Sequence, residues 1–432
     1  MTTFQARSST LQPSHKGALS GVRVLDFSWI VAGPTCTTIL AEFGAEVIKV
    51  ESRDVRDMVR GAPAAGAPPG PNSSGMFNNL NRNKLGLSLN VVHPKGFELI
   101  QHLVSISDVV VENFSAGTLA DKWNLGYEEQ RKLRPDIIYC SLSGFGHTGR
   151  SRDNTTWGPI AQALSGLTFM SGLPDQEPAG WGFSYMDQTA GFEAAIAVLM
   201  ALHHRNRTGQ GQWIDMSQVE GGIVLTGSAI LDFTVNGRRY RRPGNPPANH
   251  ADHPRVAPHN AYRCAGEVVV GDGRKDGRWC AIACYTEDQW RALCRVMAQP
   301  GLAADSRFAT NLDRLKHQDQ LDALIDSWTR DKDARQLMHT LQAAGVPAGM
   351  VQNARDKVED DPHLKARNFI VEADHPVLGT RKFEGIPIHL SETPGKVWRG
   401  APLLGEHSSQ VLQELLGLDD SAVAGLEAEG VI

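Results

Sequence analysis

Along the first 225 positions short apolar runs alternate with longer amphipathic segments. The run Val22–Phe27 leads through a Gly33-Pro34 turn into a helix-like stretch to Phe43. A second run, Val47–Val50, ends on Glu51, and this pattern predicts a strand–helix–strand unit of the nucleotide-binding type. Further runs follow in LGLSLN near Leu85, SDVVVEN near Val109 and DIIYCSLSG near Ile137, each separated by helix-like sequence. That alternation predicts an α/β fold with a mostly parallel sheet wrapped by helices. Asn113 and Ser143 then fall at carboxyl ends of strands, the edge where open α/β sheets place their ligands.

A long helix is expected from Gln188 to about Asn206, closed by Thr208-Gly209, with Asp187 just ahead of it as N-cap. Aspartate suits that position because its carboxylate accepts unpaired amide hydrogens and meets the positive end of the helix dipole. On local sequence alone this is a capped helix. After Phe233 the alternation ends, and RRYRRPGNPP reads as a linker into a smaller domain holding the strand WCAIACY and helices near Trp290 and Leu321. After Val346-Pro347 the chain is expected to return to the large domain, where QVLQELLGL has the apolar spacing of a final packed helix.

Composition narrows the chemistry. With 432 residues, 41% hydrophobic and 21% charged, the chain is long enough for two domains of ordinary globular type. The 43 basic and 48 acidic residues are spread without long runs, leaving a net charge of −5, so no basic patch points to nucleic acid and no polybasic flank to a membrane. The start, MTTFQARSSTLQPSHK, has no apolar signal core, and the longest apolar stretch, Phe192–Leu202, is too short to span a bilayer; a cytoplasmic location is expected. Six cysteines without a C-x-x-C pair build neither a disulfide framework nor a zinc ribbon. Cys280 and Cys284 share a strand face with Ile282 and read as small buried residues. The first turn carries one glycine followed by proline, not the G-x-G-x-x-G that brings amides against a dinucleotide pyrophosphate, and no G-x-x-x-x-G-K-[ST] phosphate loop occurs. A nicotinamide or flavin cofactor is therefore not expected.

The segments VRVLDFSWIVAGP, AEVIKVE, NRNK, VVVENF, SLSGFG, MDQTAG, RTGQGQWIDMS and APLLGEHS occur in this order from residue 22 to 408. Together they resemble the family III coenzyme A transferases, which include formyl-CoA:oxalate and carnitine CoA-transferases and are related to α-methylacyl-CoA racemases. The resemblance implies a large Rossmann-like CoA-binding domain over residues 19–225, a smaller α+β domain over 233–335, and a segment over 345–432 returning to the large domain. It further implies ring-like subunits interlocked as a homodimer, with a heteromeric complex as the alternative.

The resemblance also implies a nucleophile, Asp187 at the head of MDQTAG, which would attack a donor acyl-CoA and hold the acyl group as a mixed anhydride. The helix start would keep Asp187 ionised, and nearby backbone amides would stabilise the developing oxyanion. CoA and acyl-CoA are then substrates beside a carboxylic acid, with no permanently bound cofactor. The positions matching the family's CoA contacts are Ile30, Leu89, Val91, Asn113 and Lys122; Arg53 and Arg60 are phosphate partners by charge. Where the family often has basic residues, this chain has Val92 and Ser143. Trp157 reads either as a core aromatic or, with Trp29, Phe145 and Tyr185, as part of an acyl-pocket wall; the second reading hints at an acceptor larger than oxalate, a substituted carboxylic or dicarboxylic acid.

Racemase relatives carry a histidine–aspartate pair upstream of the long helix. Here Trp157 and Gly158 stand in its place, and neither side chain exchanges a proton. Between Gly244 and Asn260, His250, His253 and His259 with Asp252 are metal-ligand types, but the prolines indicate an irregular loop without helical ligand spacing, so a substrate-facing loop is expected and no metal. A third reading, from a different class, is a noncatalytic CoA-binding subunit, against which the retention of Asp187 argues.

Overall fold

The computed structural model describes residues 16–171, 177–238, 250, 255–269 and 273–432. Two compact units arise: the described residues up to Thr168, with Gly180–Leu231 and Pro362–Ile432, form the first, and those of Phe169–Ala179 and Asp232–Asp361 form the second.

In the first unit six strands, β1 (Arg23–Asp26), β2 (Glu46–Glu51), β3 (Leu85–Ser88), β4 (Val109–Glu112), β5 (Ile138–Ser143) and β6 (Gln212–Ser217), form one parallel sheet in the order 3-2-1-4-5-6. The crossovers carry helices α1 (Ala32–Glu42), α2 (Gly75–Leu80), α3 (Pro94–Ser105), α4 (Tyr127–Leu133), α5 (Gly158–Leu164), α6 (Leu167–Met170) and α7 (Tyr185–Thr208); α8 (Gln218–Leu225) follows β6. Gly33 and Pro34 lie inside the first turn of α1 and not ahead of it, where a missing N–H costs no helical bond.

Strands β1 to β5 are buried along almost their whole length because both faces of the sheet are covered there, while β6 alternates half-buried with exposed residues. Alternate residues enter two cores: Leu25, Val110 and Tyr139 face one with α3 and the C-terminal helices, while Val24, Val109, Val111 and Cys140 face the other with α1 and α7. Helix α7 approaches α1 closely through small residues, since a β-carbon at Gly191 would lie 2.6 Å from Thr35 Cβ and 2.7 Å from the Ala32 carbonyl oxygen. Thr35 Oγ1 donates to Gln188 Oε1 across this contact (3.2 Å), so the packing fixes the head of α7 against the start of α1.

Two of the family-like segments prove structural. In NRNK, Lys84 is fully buried against Asp26 (3.0 Å) and Asn81 Oδ1 (2.9 Å), and burial lowers its pKa to about 8 despite the Asp26 charge. Arg82 joins Glu42 (2.9 Å), and Asn83 accepts from the Trp398 N–H. The APLLGEHS segment covers the edge strand: the β3 amides of Gly86 and Ser88 donate to His407 Nδ1 (3.1 Å) and Ser408 Oγ (2.9 Å). Unpaired edge amides are thereby satisfied.

In the second unit β7 (His259–Val269) pairs antiparallel with β8 (Lys275–Ala283), and β8 with β9 (Ala348–Met350). Helices over Glu287–Val296, Gln318–Thr329 and Ala334–Ala343 close the core around Tyr262, Ile282, Trp290 and Leu321. Cys280 and Cys284 are buried in it, their thiols pushed up to about 12 by burial. The return to the first unit comes at Pro362 instead of near 345, because Ala348–Met350 is held by β8. Except for Arg238, the RRYRRPGNPP linker lies outside the described residues, as do Asp252 and His253. His250 Nε2 meets Asp322 Oδ2 (2.5 Å), which also accepts from Asn260 Nδ2 (3.1 Å). Among the described residues no group of three histidine, cysteine or acidic side chains is placed to hold a metal.

Candidate active site

The strand order reverses between β1 and β4, and in such sheets the crevice outside the strand ends at that point receives the ligand. Asn113, directly after β4, bridges it: Oδ1 accepts the Trp29 N–H (2.7 Å) and Nδ2 donates to the Trp29 carbonyl (2.9 Å). A cavity of about 110 Å³ opens here, lined by Ile30–Ala32 on one side, Ser143 and Gly144 at the end of β5, and Asp187 and Gln218 at the starts of α7 and α8. The Ser143 hydroxyl is buried with no protein partner among the described residues, an orphan that a bound polar ligand would satisfy.

Asp187 occupies the third position of α7, not its cap; the capping position belongs to Ser184. Its Oδ1 accepts from Gln218 Nε2 (2.8 Å), and the Ser184 side chain also bonds it. Burial raises its pKa above the ordinary aspartate value, and the Gln218 and Ser184 bonds offset only part of that rise. Removal from water thus disfavours the charged form of this carboxylate, a cost that the two donors reduce.

The loop from Gly144 to Trp157 folds back over the sheet edge. A β-carbon at Gly144 would fall 1.6 Å from Thr156 Oγ1, so only glycine allows the approach. The loop is tied to β6, where Asp215 accepts from the His147 N–H (2.6 Å) and the Thr148 hydroxyl (2.7 Å). It brings Arg152, Asn154, Thr155, Thr156 and Trp157 into the cavity wall. Arg152 is the cationic residue of this lining, its guanidinium half-exposed and loosely paired with Asp121 (3.5 Å) and Asp153 (3.3 Å).

A second, apolar cavity of about 270 Å³ lies along the ends of β1, β2 and β3, with Trp29, Leu89, Val91, Phe114 and Trp123 in its wall. Phe114 belongs to both cavities and meets Trp29 edge to face (5.3 Å). Exposed Val92 stands at this cavity. Lys122 is exposed after Thr118, which lines it, and Arg53 is exposed beside Ser52, pairing with Glu427 at 3.8 Å.

Several sequence candidates are thereby separated. Ile30 and Asn113 join Asp187; Leu89 and Val91 line the apolar cavity; of the four aromatic candidates only Trp157 lines the Asp187 cavity. Trp29 belongs to the other, and Phe145 and Tyr185 pack on Ala161, Met186 and Val219. Arg60 is no phosphate partner. It is buried, its guanidinium donating to Glu51 (2.7 and 2.8 Å), Asn72 Oδ1 (3.1 Å) and the carbonyls of Pro71 and Pro402, with the Phe77 ring beneath it. Sequence reading did not single out Gln218 and Arg152. The segment RTGQGQWIDMS stops one residue before Gln218, and Arg152 sits in a stretch without periodic pattern.

The crevice at the strand-order reversal thus holds a half-buried aspartate at a helix start, with an apolar cavity beside it. The chain belongs to the CoA-transferase family III, whose description matches residues 19–408, and it is thus an enzyme that transfers coenzyme A. It is 39% identical over 415 residues to a succinyl-CoA–D-citramalate CoA-transferase of Chloroflexus aurantiacus, covering 96% of this chain and 98% of that one. To a succinyl-CoA:mesaconate CoA-transferase of Haloarcula marismortui it is 35% identical, with 92% and 96% covered. The crystal structure of a CAIB/BAIF family protein from Brucella suis superposes with a TM-score of 0.80 at 31% identity, covering 93% of this chain and 100% of that chain.

Proposed function

We propose that this enzyme moves coenzyme A from a dicarboxylic acyl-CoA donor to a dicarboxylic acid acceptor, with Asp187 as nucleophile. The observation that carries the reading is the presence of both Asp187 and Arg152 in the lining of one cavity. A loosely paired, half-exposed guanidinium loses little on changing partners and matches a carboxylate bidentately. It suits the distal carboxylate of an acid whose other carboxyl reacts. Substrate acids of that kind appear in the names of the two relatives.

Asp187 attacks the thioester carbonyl, CoA thiolate leaves, and the acyl group remains as an aspartyl mixed anhydride. The thiolate then attacks the aspartyl carbonyl, releasing the donor acid and leaving an enzyme thioester. The acceptor carboxylate opens that thioester to a new anhydride, and returning thiolate takes the acyl group and frees Asp187. One thioester is exchanged for another, so no energy source enters. Because a carboxylate is a weak nucleophile, acceleration rests on positioning, with effective molarities of about 10⁵ M or more available. The apolar cavity receives the adenine, with Leu89, Val91 and Phe114 against the ring, Arg53 and Lys122 toward the phosphates, and Asn113 and Ile30 nearer the thioester.

The enzyme works as a homodimer in this reading. Helix α7 leaves Phe192, Ile196, Leu199 and Met200 exposed at helical spacing, an apolar stripe of the kind that a partner subunit covers. No helix among the described residues is long and apolar enough to cross a membrane.

An assay with succinyl-CoA and a panel of acids tests the substrate class. Dicarboxylic acceptors are expected to react, and Arg152→Ala to raise their KM about tenfold or more while leaving a monocarboxylic acceptor unaffected. Transfer confined to formyl-CoA and oxalate, or an Arg152→Ala variant with unchanged KM for every acid, would contradict it.

A further inference from the structure

The turn between β1 and α1 holds an isoleucine in a left-handed backbone. Ile30 has φ 68°, a region that β-branched residues avoid because Cβ crowds the neighbouring carbonyl. Such strain persists only where the surroundings over-determine it.

Four side chains grip this turn, Asp26 among them, whose Oδ1 accepts the Ser28 N–H (2.9 Å). Asn113 holds both polar groups of the Trp29 backbone, as described, and Lys49 Nζ donates to the Ser28 carbonyl (2.6 Å). The Asp57 carboxylate accepts the Ile30 N–H itself (3.1 and 3.2 Å). Lys49 and Asp57 face each other at 3.4 Å, both fully buried. Asp57 is fixed in turn: its own N–H donates to Glu51 Oε1 (3.1 Å), and Glu51 is clamped by Arg60. A chain of buried partners thus runs from Arg60 through Glu51 and Asp57 to the strained residue.

We propose that Asp57 is a positioning residue for coenzyme A transfer, holding Ile30 left-handed so that Ile30, Val31 and Ala32 form a fixed wall of the Asp187 cavity. The proposal rests on the transfer chemistry above. Without Asp57, Ile30 would relax toward ordinary φ and carry Val31 and the first turn of α1 with it. Asn113 grips the turn one residue upstream and does not hold the Ile30 amide. Relaxation would shift the thioester relative to Asp187 while leaving the apolar cavity intact, and a displacement of about 1 Å at a reacting centre costs on the order of 10²-fold in rate.

The test measures kcat, KM and the exchange rate of the Ile30 amide in Asp57→Ala and Asp57→Asn, each alone and with Ile30→Gly. Asp57→Ala is expected to lose about 10²-fold in kcat with little change in KM for acyl-CoA, and to expose the Ile30 amide. Asp57→Asn, which still offers an acceptor oxygen, is expected to recover much of both. Glycine adopts φ 68° without a hold, so Asp57→Ala should cost little in the Ile30→Gly background. An equal loss in both backgrounds overturns the proposal, as does full kcat with the amide exposed. Folding of the double variant where Asp57→Ala alone unfolds supports it. Failure of both to fold makes Asp57 a general stabiliser and overturns it. If the native enzyme transfers no CoA from any donor, the transfer reading fails by itself; unchanged Ile30 exchange in Asp57→Ala refutes the grip.

Discussion

Gly158 lies against the carboxylate of Asp187 so closely that a β-carbon there would fall 2.5 Å from Oδ2 and 2.9 Å from Cγ. The first residue of α5 thus gives its side-chain space to the Asp187 carboxylate. Gly158→Ala would force the carboxylate away from Gln218 or push α5 aside. A loss of about 10²-fold in kcat is expected from such a displacement, with a folded protein by circular dichroism; undiminished kcat would mean that the carboxylate does not react from this position.

Gln218 donates to Asp187 and favours its charged form. Gln218→Leu removes that donor and adds nothing polar. In the proposed mechanism Asp187 must be ionised to attack, so the acid limb of the kcat/KM profile should move to higher pH, with activity at its plateau reduced less than activity on the limb. A pH–rate profile from pH 4 to 8 checks this, and a superimposable acid limb would remove Gln218 from the site.

Burial of Asp187 also predicts a stability trade. Its folded-state pKa is raised above the ordinary value of 3.8, so its contribution to stability is full below that value and is lost as pH rises through the folded pKa. At neutral pH the ionised carboxylate therefore costs stability. Asp187→Asn keeps an acceptor for Gln218 and should be inactive yet more stable at pH 7, by about 1–2 kcal/mol in urea titration, the gain shrinking toward pH 4.

Glu112, at the end of β4, accepts from the Phe114 N–H (2.8 Å) and the Tyr139 hydroxyl (2.9 Å), and burial pushes its pKa up to about 8. Its folded value lies above the ordinary 4.5, so stability is full below that ordinary value and falls as pH rises through about 8. Glu112→Gln, neutral throughout, should flatten the decline in melting temperature between pH 5 and 8. A decline of equal slope in both proteins would assign it to other groups.

The parallel sheet was legible in the sequence because its inner strands are covered on both faces, which gives β1, β4 and β5 the apolar stretches Val24-Leu25, Val109–Val111 and Ile138–Cys140. The positions of Asn113 and Ser143 at strand ends followed from the same pattern. Charge alone misled at Arg60, whose partner Glu51 lies nine residues away and whose burial depends on Phe77 and Pro402, contacts that no local pattern records. Aromaticity did not separate the candidates: Phe145 and Tyr185 pack on Ala161, Met186 and Val219, while Trp29 lines the apolar cavity, since a ring serves a core as readily as a cavity. Gln218 and Arg152 reach Asp187's cavity through tertiary folding of the β5–α5 loop and the β6–α8 junction, and only the three-dimensional arrangement brings them there.

The nucleophilic role of Asp187 is tested most directly by intact-mass analysis of the protein with succinyl-CoA, trapped by hydroxylamine or borohydride, beside Asp187→Ala. A covalent adduct is expected on the native protein, mapping to the peptide that carries Asp187, and none on the variant. An adduct of equal yield on Asp187→Ala, or transfer activity retained by that variant, would contradict the aspartyl mechanism.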